Sequence, residues 1–190
     1  MFVAVDPPDR AVVDLGEVVD TLAVSRANEP GRSTRLAARD RWHVTLAFLG
    51  DVPAGRADAV VEALVRAVAS VDPPGPVSFS GGGTFGRGRF TVLWAGMGGD
   101  VPGLRRLAES VRSQLRRRHV WFDGKGFRPH LTLSRPGDRV PSDDVAADVA
   151  ALGSYMGPLW TVDQVHLVAS ELGPQPSHTR VASVPVRATA

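Results

Sequence analysis

Two short stretches carry the side chains best suited to chemistry: "HVTLAFLG" from His43 and "HLTLSRP" from His130. Each presents a histidine, one intervening residue and a threonine. Histidine can take or give a proton near neutrality, because its unperturbed pKa is ~6.5. A threonine hydroxyl can donate to an oxygen on which negative charge is building. Two of each, brought together, suit hydrolysis or transfer at a phosphodiester. One imidazole takes a proton from the nucleophile, the other protonates the departing oxygen, and the hydroxyls hold the non-bridging oxygens. This chemistry requires no metal, and two histidines with no carboxylate or cysteine nearby make a sparse metal site. Either histidine alone reads as a satisfied structural residue. Repetition of His, Thr and Leu in one register, each copy running into a turn, is what points to a working pair.

Both stretches read as strands, where side chains alternate between faces. His43, Thr45 and Ala47 then point one way and Val44, Leu46 and Phe48 the other. His130, Thr132 and Ser134 are likewise opposed by Leu131 and Leu133. Each strand has an apolar face for a core and a His-Thr face directed elsewhere.

The surrounding elements must position these strands. Residues 2–5 read as a strand, and Val12, Leu15, Val19 and Leu22 recur at helical spacing after the turn "DPPD". "RLAA" reads as a short strand ahead of the first motif. Val60, Val61, Leu64, Val65 and Val68 form a second helical stripe, ended by "VDPPGP". "VSFS" and "RFTVLWAGM" are strands separated by "GGGTFGRG", which reads as a hairpin or bulge. It lacks the Lys-Ser or Lys-Thr and the following helix of a phosphate loop. Leu104, Leu107, Val111 and Leu115 predict a third helix, whose face of Arg105, Arg106, Arg112 and Arg116 reads as solvated charge. A polar helix over 142–152 and strands in "WTVDQVHLVASEL" and "RVASVPVRA" complete the chain. This mixture predicts an α+β protein with antiparallel sheets, and the recurring motif predicts two related lobes.

Composition narrows the classes. With 190 residues, 43% hydrophobic and 22% charged, the chain fits one globular domain over 1–190. Absence of cysteine excludes disulfide frameworks and thiolate metal sites. "MFVAVDPPDR" lacks the features of a secretory signal, and no stretch reaches the ~18 apolar residues of a membrane span, so a cytoplasmic protein is expected. Net charge is only +2, and Lys125 is the single lysine among 22 basic residues. Arg32, Arg35, Arg39 and Arg41 precede the first motif; Lys125 and Arg128 precede the second. Such clusters can guide a polyanion into a shared cleft or simply be solvated loop charge.

At these residues the chain resembles the 2H phosphoesterase superfamily, named for paired His-x-Thr motifs. Within it, the resemblance is to the bacterial and archaeal RNA 2',3'-cyclic phosphodiesterases, also called 2'-5' RNA ligase-like. "MFVAVDPP", "WHVTLAFLGDV", "GGGTFGRGRFTVLWAGM", "FRPHLTLSR" and "VHLVASEL" resemble successive family segments in the family's order. The resemblance implies two pseudo-symmetric lobes, each an antiparallel β-sheet with helices on its outer side, around a central cleft. It implies His43 as general acid toward the ribose 3' oxygen and His130 as general base on water. Thr45 and Thr132 would hold phosphate oxygens, and Arg135 would add charge there, although strand parity puts Arg135 opposite His130 unless the chain turns at Pro136.

The implied reaction opens a terminal 2',3'-cyclic phosphate on RNA to a 2'-phosphate, without cofactor or metal, in a monomer with no membrane partner. Its reversal with a 5'-hydroxyl would be 2'-5' ligation. The same fold acting on a small cyclic phosphate such as ADP-ribose 1'',2''-cyclic phosphate, and a non-catalytic RNA-end binding module, are the alternatives. His178 or Thr179 stands where the family often has a tyrosine, and His119 where a glycine is common. His119, His166 and His178 read as surface or structural. Among the aromatic residues Phe48, Trp42, Phe122 and Phe127, parity assigns Phe48 to the core, and Phe127 is the better candidate for stacking on a base.

Overall fold

A computed structural model describes residues 1–26, 35–135, 140–171 and 177–187. Its strands are β1 (Phe2–Val5), β2 (Val44–Phe48), β3 (Val77–Phe85), β4 (Val92–Gly99), β5 (Leu131–Ser134), β6 (Gln164–Glu171) and β7 (Ser177–Pro185). They form one antiparallel sheet in the order β3-β4-β5-β2-β1-β6-β7. The helices are α1 (Asp9–Thr21), α2 (Ala57–Val68), α3 (Val101–Arg117) and α4 (Ser142–Gly153).

The two expected lobes are the halves of this sheet. One half runs outward as β2-β1-β6-β7 and the other as β5-β4-β3, joined edge to edge through the pair Val44↔Leu131. Helices α2 and α3 pack on each other, α3 against β2 and α2 against β6 and β7; α4 covers β3 and β4, with α1 against β3. α1 therefore leaves the half that contains β1 and packs on the other, while α3 does the reverse after β4. This exchange ties the halves together although their sheets share one ladder pair among the described residues.

The core lies between the helices and one face of the sheet. Val3, Val5, Val44, Leu46, Phe79, Leu93, Leu131, Leu133, Val165 and Leu167 meet the helical apolar stripes there. In α3 the predicted Leu104, Leu107, Val111 and Leu115 are all fully buried. Each such side chain contributes roughly 1.5–3 kcal/mol relative to exposure. The α3 N-terminus is capped by Asp100, whose carboxylate accepts from Gly103 N–H at 2.9 Å and Gly75 N–H at 2.7 Å. Those two bonds hold the carboxyl below its ordinary pKa. The opposite face of the sheet carries a smaller apolar group, Phe2, Ala4 and Val168.

Two expectations about the strands need correction. The glycine-rich segment does not separate two strands, since β3 continues through Gly81–Gly83 with a register jump between Phe79 and Gly82. The hairpin turn lies beyond, around Gly86, whose φ of 74° favours glycine. Gly83 serves packing instead: a Cβ there would stand 2.6 Å from the Trp94 ring. "RLAA" forms only an isolated bridge, Leu36↔Ser134.

The second correction is to strand parity. Along β1 and β2 the pairs run Ala4↔Thr45 and then Val3↔Ala47, so Leu46 is an extra residue on β2. Along β4 and β5 they run Trp94↔Thr132 and then Leu93↔Ser134, so Leu133 is extra on β5. Both motifs bulge at the residue after threonine. A bulge shifts the alternation by one, so Leu46 and Ala47 are both buried, as are Leu133 and Ser134. Phe48 consequently leaves the core, where simple alternation assigns it, and is 52% exposed.

Candidate active site

The single pair Val44↔Leu131 sets the register of the two motifs. Counting outward from it, His43 falls opposite Thr132 and His130 opposite Thr45. The two histidines are then cross-strand diagonal neighbours, a separation of about 7–8 Å in a sheet. All four positions are half-buried, which leaves them shielded from bulk water but accessible.

Both imidazoles are anchored identically. His43 Nδ1 lies 2.8 Å from the Arg41 carbonyl, and His130 Nδ1 lies 2.6 Å from the Arg128 carbonyl. A carbonyl only accepts, so each Nδ1 carries the hydrogen and each Nε2 is the nitrogen free to exchange a proton. The repeated unit is thus Arg-x-His-x-Thr: each arginine lends its carbonyl to the histidine two residues on. The Arg128 guanidinium also lies 5.9 Å from the centre of the Phe85 ring.

Aromatic rings enclose the pair from neighbouring strands. Phe2 stacks on His43 at 4.5 Å and 20° between planes. On the other side, Phe85 meets His130 edge-on at 4.8 Å, and Trp94 lies 6.3 Å from it while stacking on Phe85. His178 is exposed, in keeping with a surface residue, and it also meets the His43 ring edge-on at 5.4 Å. Its strand β7 is two strands away from β1, and its side chain reaches across the Phe2 ring at 5.1 Å.

Burial pushes both motif imidazoles below the ordinary 6.5. The carbonyl bonds oppose that shift in each case. At His43, His178 and His130 lower the pKa further when charged, and Asp6 raises it. His178 is itself pushed down by burial and by Arg41. His166 is buried, bonded to Ser183 Oγ at 2.8 Å and beside Asp6 at 3.6 Å, as a structural residue would be. His119 is exposed, with φ 53° at the end of α3.

The predicted basic clusters divide. Arg32 lies outside the described residues. Arg39 is engaged by the Gly16 carbonyl at 2.9 Å and by Asp20. Arg112, read as part of a solvated face, donates from Nε to the Leu46 carbonyl at 3.0 Å and from Nη1 to the Lys125 carbonyl at 2.7 Å. Arg105 donates to the Phe127 carbonyl. Phe127 and Phe122 lie near the Arg112 guanidinium, at 5.7 and 5.9 Å, and Trp42 is buried. The rings in contact with the imidazoles are therefore others than those singled out from the sequence. Among the described residues, no three His, Cys, Asp or Glu side chains are grouped to hold a metal, and no helix is long and apolar enough to cross a membrane.

Residues 7–174 match the family model described as the 2'-5' RNA ligase superfamily. The chain belongs to this superfamily. Among its curated relatives, the RNA 2',3'-cyclic phosphodiesterase of Escherichia coli K12 is 33% identical over 137 residues, which is 71% of this chain and 70% of that protein. The enzyme of the same name from Geobacillus stearothermophilus is 28% identical over 148 residues, 76% of this chain. The match spans 45% of the Geobacillus protein's length.

Solved structures give the same answer for the fold of this superfamily member. A crystal structure of a Thermus thermophilus protein superposes with a TM-score of 0.77 at 26% identity, covering 100% of this chain and 98% of that one. Escherichia coli LigT complexed with 3'-AMP superposes with a TM-score of 0.71 at 25% identity, covering 97% and 95%.

Proposed function

We propose that this chain hydrolyses a terminal 2',3'-cyclic phosphate on RNA to a 2'-phosphate by acid-base catalysis between His43 and His130, without a metal. The observation that carries the reading is the twofold repetition of the anchored imidazole: each Nδ1 is committed to a carbonyl two residues back, and each Nε2 is free. Superfamily membership and relatives named RNA 2',3'-cyclic phosphodiesterase support the substrate class.

In this mechanism neutral His130 takes the proton of a water that attacks phosphorus. His43, as imidazolium, gives its Nε2 proton to the ribose 3' oxygen as the P–O3' bond breaks. Asp6 raises the His43 pKa against the larger lowering by burial and by His178, and no carboxylate acts on His130; the assignment of His43 as the acid is carried over from the superfamily resemblance. Thr45 and Thr132 donate to the non-bridging oxygens, each from beside the other motif's histidine. With Leu133 counted as the bulge residue, position 135 falls on the face of Thr132, so Arg135 is assigned to the phosphate as well. The parity objection to it disappears. Protonation of the departing oxygen is worth ~10²–10⁴ in rate.

We read residues 1–190 as one bilobal domain that acts as a monomer, because both motifs come from a single chain. The proposed RNA substrate is in keeping with a cytoplasmic site of action. Reverse reaction with a 5'-hydroxyl end would join RNA 2' to 5'.

The test is incubation of purified protein with an oligoribonucleotide ending in 2',3'-cyclic phosphate, in excess chelator. Conversion to a 2'-phosphate is expected. A 3'-phosphate product would exchange the acid and base assignments toward the ribose. Faster turnover of a free cyclic nucleotide or of ADP-ribose cyclic phosphate than of the oligonucleotide would move the substrate to small molecules. Binding without turnover would leave a binding module.

A further inference from the structure

The two bulges pose the same problem in each half. An extra residue leaves the ladder locally broken and its backbone in need of other partners. In β5 the carbonyl of the bulge residue Leu133 accepts from the Ala37 main-chain N–H at 2.8 Å. In β2 the carbonyl of the bulge residue Leu46 accepts from Arg112 Nε at 3.0 Å. A side chain from α3 thus does in one half what a main-chain amide does in the other. The same guanidinium reaches further: Nη1 donates to the Lys125 carbonyl at 2.7 Å, five residues ahead of His130. Its cation lies near the Phe122 and Phe127 rings at 5.9 and 5.7 Å, both in that approach segment.

We infer that Arg112 is a positioning residue for the reaction. One planar fork ties the bulge beside Thr45, which sets the face of β2, to the segment that delivers His130 and its Arg128 anchor. Lysine offers a point charge on a flexible stem and not two fixed donors at this spacing. Arg112 itself touches no reacting atom; it sets where the two imidazoles and Thr45 stand relative to each other. Displacement by ~1 Å in such a constellation can cost ~10²-fold in rate. The inference rests on the phosphodiesterase reading for its kinetic consequence, though not for its structural one.

The experiment compares Arg112→Met, Arg112→Lys and Val111→Ala with the unaltered chain. Val111 is a fully buried neighbour on α3 and controls for loss of helix packing. Two readouts are taken: kcat and KM on a cyclic-ended oligonucleotide, and the ¹⁵N shifts of the histidine ring nitrogens, which report the tautomer. Arg112→Met is expected to lower kcat about tenfold or more with KM within about twofold. It should also turn the single Nδ1–H tautomer of His43 or His130 into a mixture. Arg112→Lys should recover part of both, and Val111→Ala should change neither at a comparable loss of Tm. Unchanged kcat and tautomers in a folded Arg112→Met protein would overturn the inference, as would equal losses in Val111→Ala. If Arg112→Met does not fold, Arg112→Lys is judged by the same two readouts against Val111→Ala. If the unaltered chain opens no cyclic phosphate, the functional reading fails while the ring-nitrogen shifts still decide the role of Arg112.

Discussion

Val44 of β2 and Leu131 of β5 face each other as the ladder pair that joins the two halves of the sheet, and each directly follows a motif histidine. The relative placement of the imidazoles therefore depends on the strand junction itself and not on a flexible loop. Because the histidines sit on the side opposite the main core, their removal leaves Val44, Leu131 and the helical packing intact. His43→Ala and His130→Ala are each expected to lower kcat by ~10³-fold or more, with circular dichroism unchanged. The double variant should lose little beyond either single one, since the two groups act as a unit. Activity within tenfold of the unaltered chain in either single variant would remove the acid-base assignment.

Protonation gives a second prediction, with the sign set by the direction of the shifts. His43, His130, His166 and His178 all have imidazoles pushed below 6.5 by burial. Between those depressed values and 6.5 the unfolded chain binds more protons than the folded one, so stability rises with pH across that window. The contribution is complete above pH ~6.5 and is lost as pH falls through 6.5 toward the folded-state values. The catalytic profile follows the same groups. The bell of kcat/KM for the free protein should lie on the acid side of neutrality, and bound anionic phosphate, which favours imidazolium, should move the kcat profile to higher pH. Denaturant titrations from pH 5 to 8 and paired pH-rate curves check both parts; an unfolding free energy that rises as pH falls below 6.5 would contradict the first.

The motifs are legible in the sequence because a polar residue alternating with core leucines stands out against a strand. The helical stripe of α3 is legible for the same reason of periodicity. What alternation cannot reveal is its own interruption. Neither "HVTLAFLG" nor "HLTLSRP" marks Leu46 or Leu133 as an extra residue, since a bulge is defined by the partner strand. Simple alternation misassigns Phe48 to the core on that account. Phe2 lies in the uniformly apolar "FVAV", where no polar residue distinguishes the site face from the core face. His178 comes to His43 through pairing across β7, β6 and β1, a relation no local pattern encodes. Trp94 and Gly83 are the nearest to a readable signal: a bulky ring paired with a residue lacking Cβ. Arg112 is hidden by its neighbours, because on a helix face shared with Arg105 and Arg116 nothing local distinguishes an arginine that reaches backbone carbonyls from one in solvent.

The stacking of Phe2 on His43 carries a third prediction. Phe2 is only 5% exposed, and its ring covers one face of the imidazole at 4.5 Å. Phe2→Ala should cost about 3 kcal/mol in unfolding free energy, at the low end for phenylalanine truncation because the ring borders the site and not the main core. It should also rehydrate His43 and raise its pKa toward 6.5, while His130, flanked by Phe85 and Trp94, stays where it is. Histidine proton titrations by NMR separate the two. An unchanged His43 pKa in Phe2→Ala would show that other groups, and not this ring, desolvate the imidazole.

Arg135 tests the consequence of the second bulge. If Leu133 and Ser134 both face the core, as their complete burial indicates, the next residue returns to the face of Thr132, as Phe48 does after Leu46 and Ala47. The Arg135 backbone N–H is held by the Arg35 carbonyl at 3.0 Å, which fixes the main chain from which its side chain departs. A guanidinium there meets the phosphate in the ground state as well as in the transition state, so its loss should appear mainly in binding. Arg135→Ala is expected to raise KM about tenfold, a value typical of one charge-assisted hydrogen bond, and to lower kcat by less. Thr132→Val, which removes the donor proposed for the same oxygens, should not add to it in full if both act on one phosphate. A KM for Arg135→Ala equal to that of the unaltered chain, across salt concentrations from 50 to about 200 mM where phosphate contacts are most visible, would place this arginine away from the phosphate and return position 135 to the face that uninterrupted alternation assigns it.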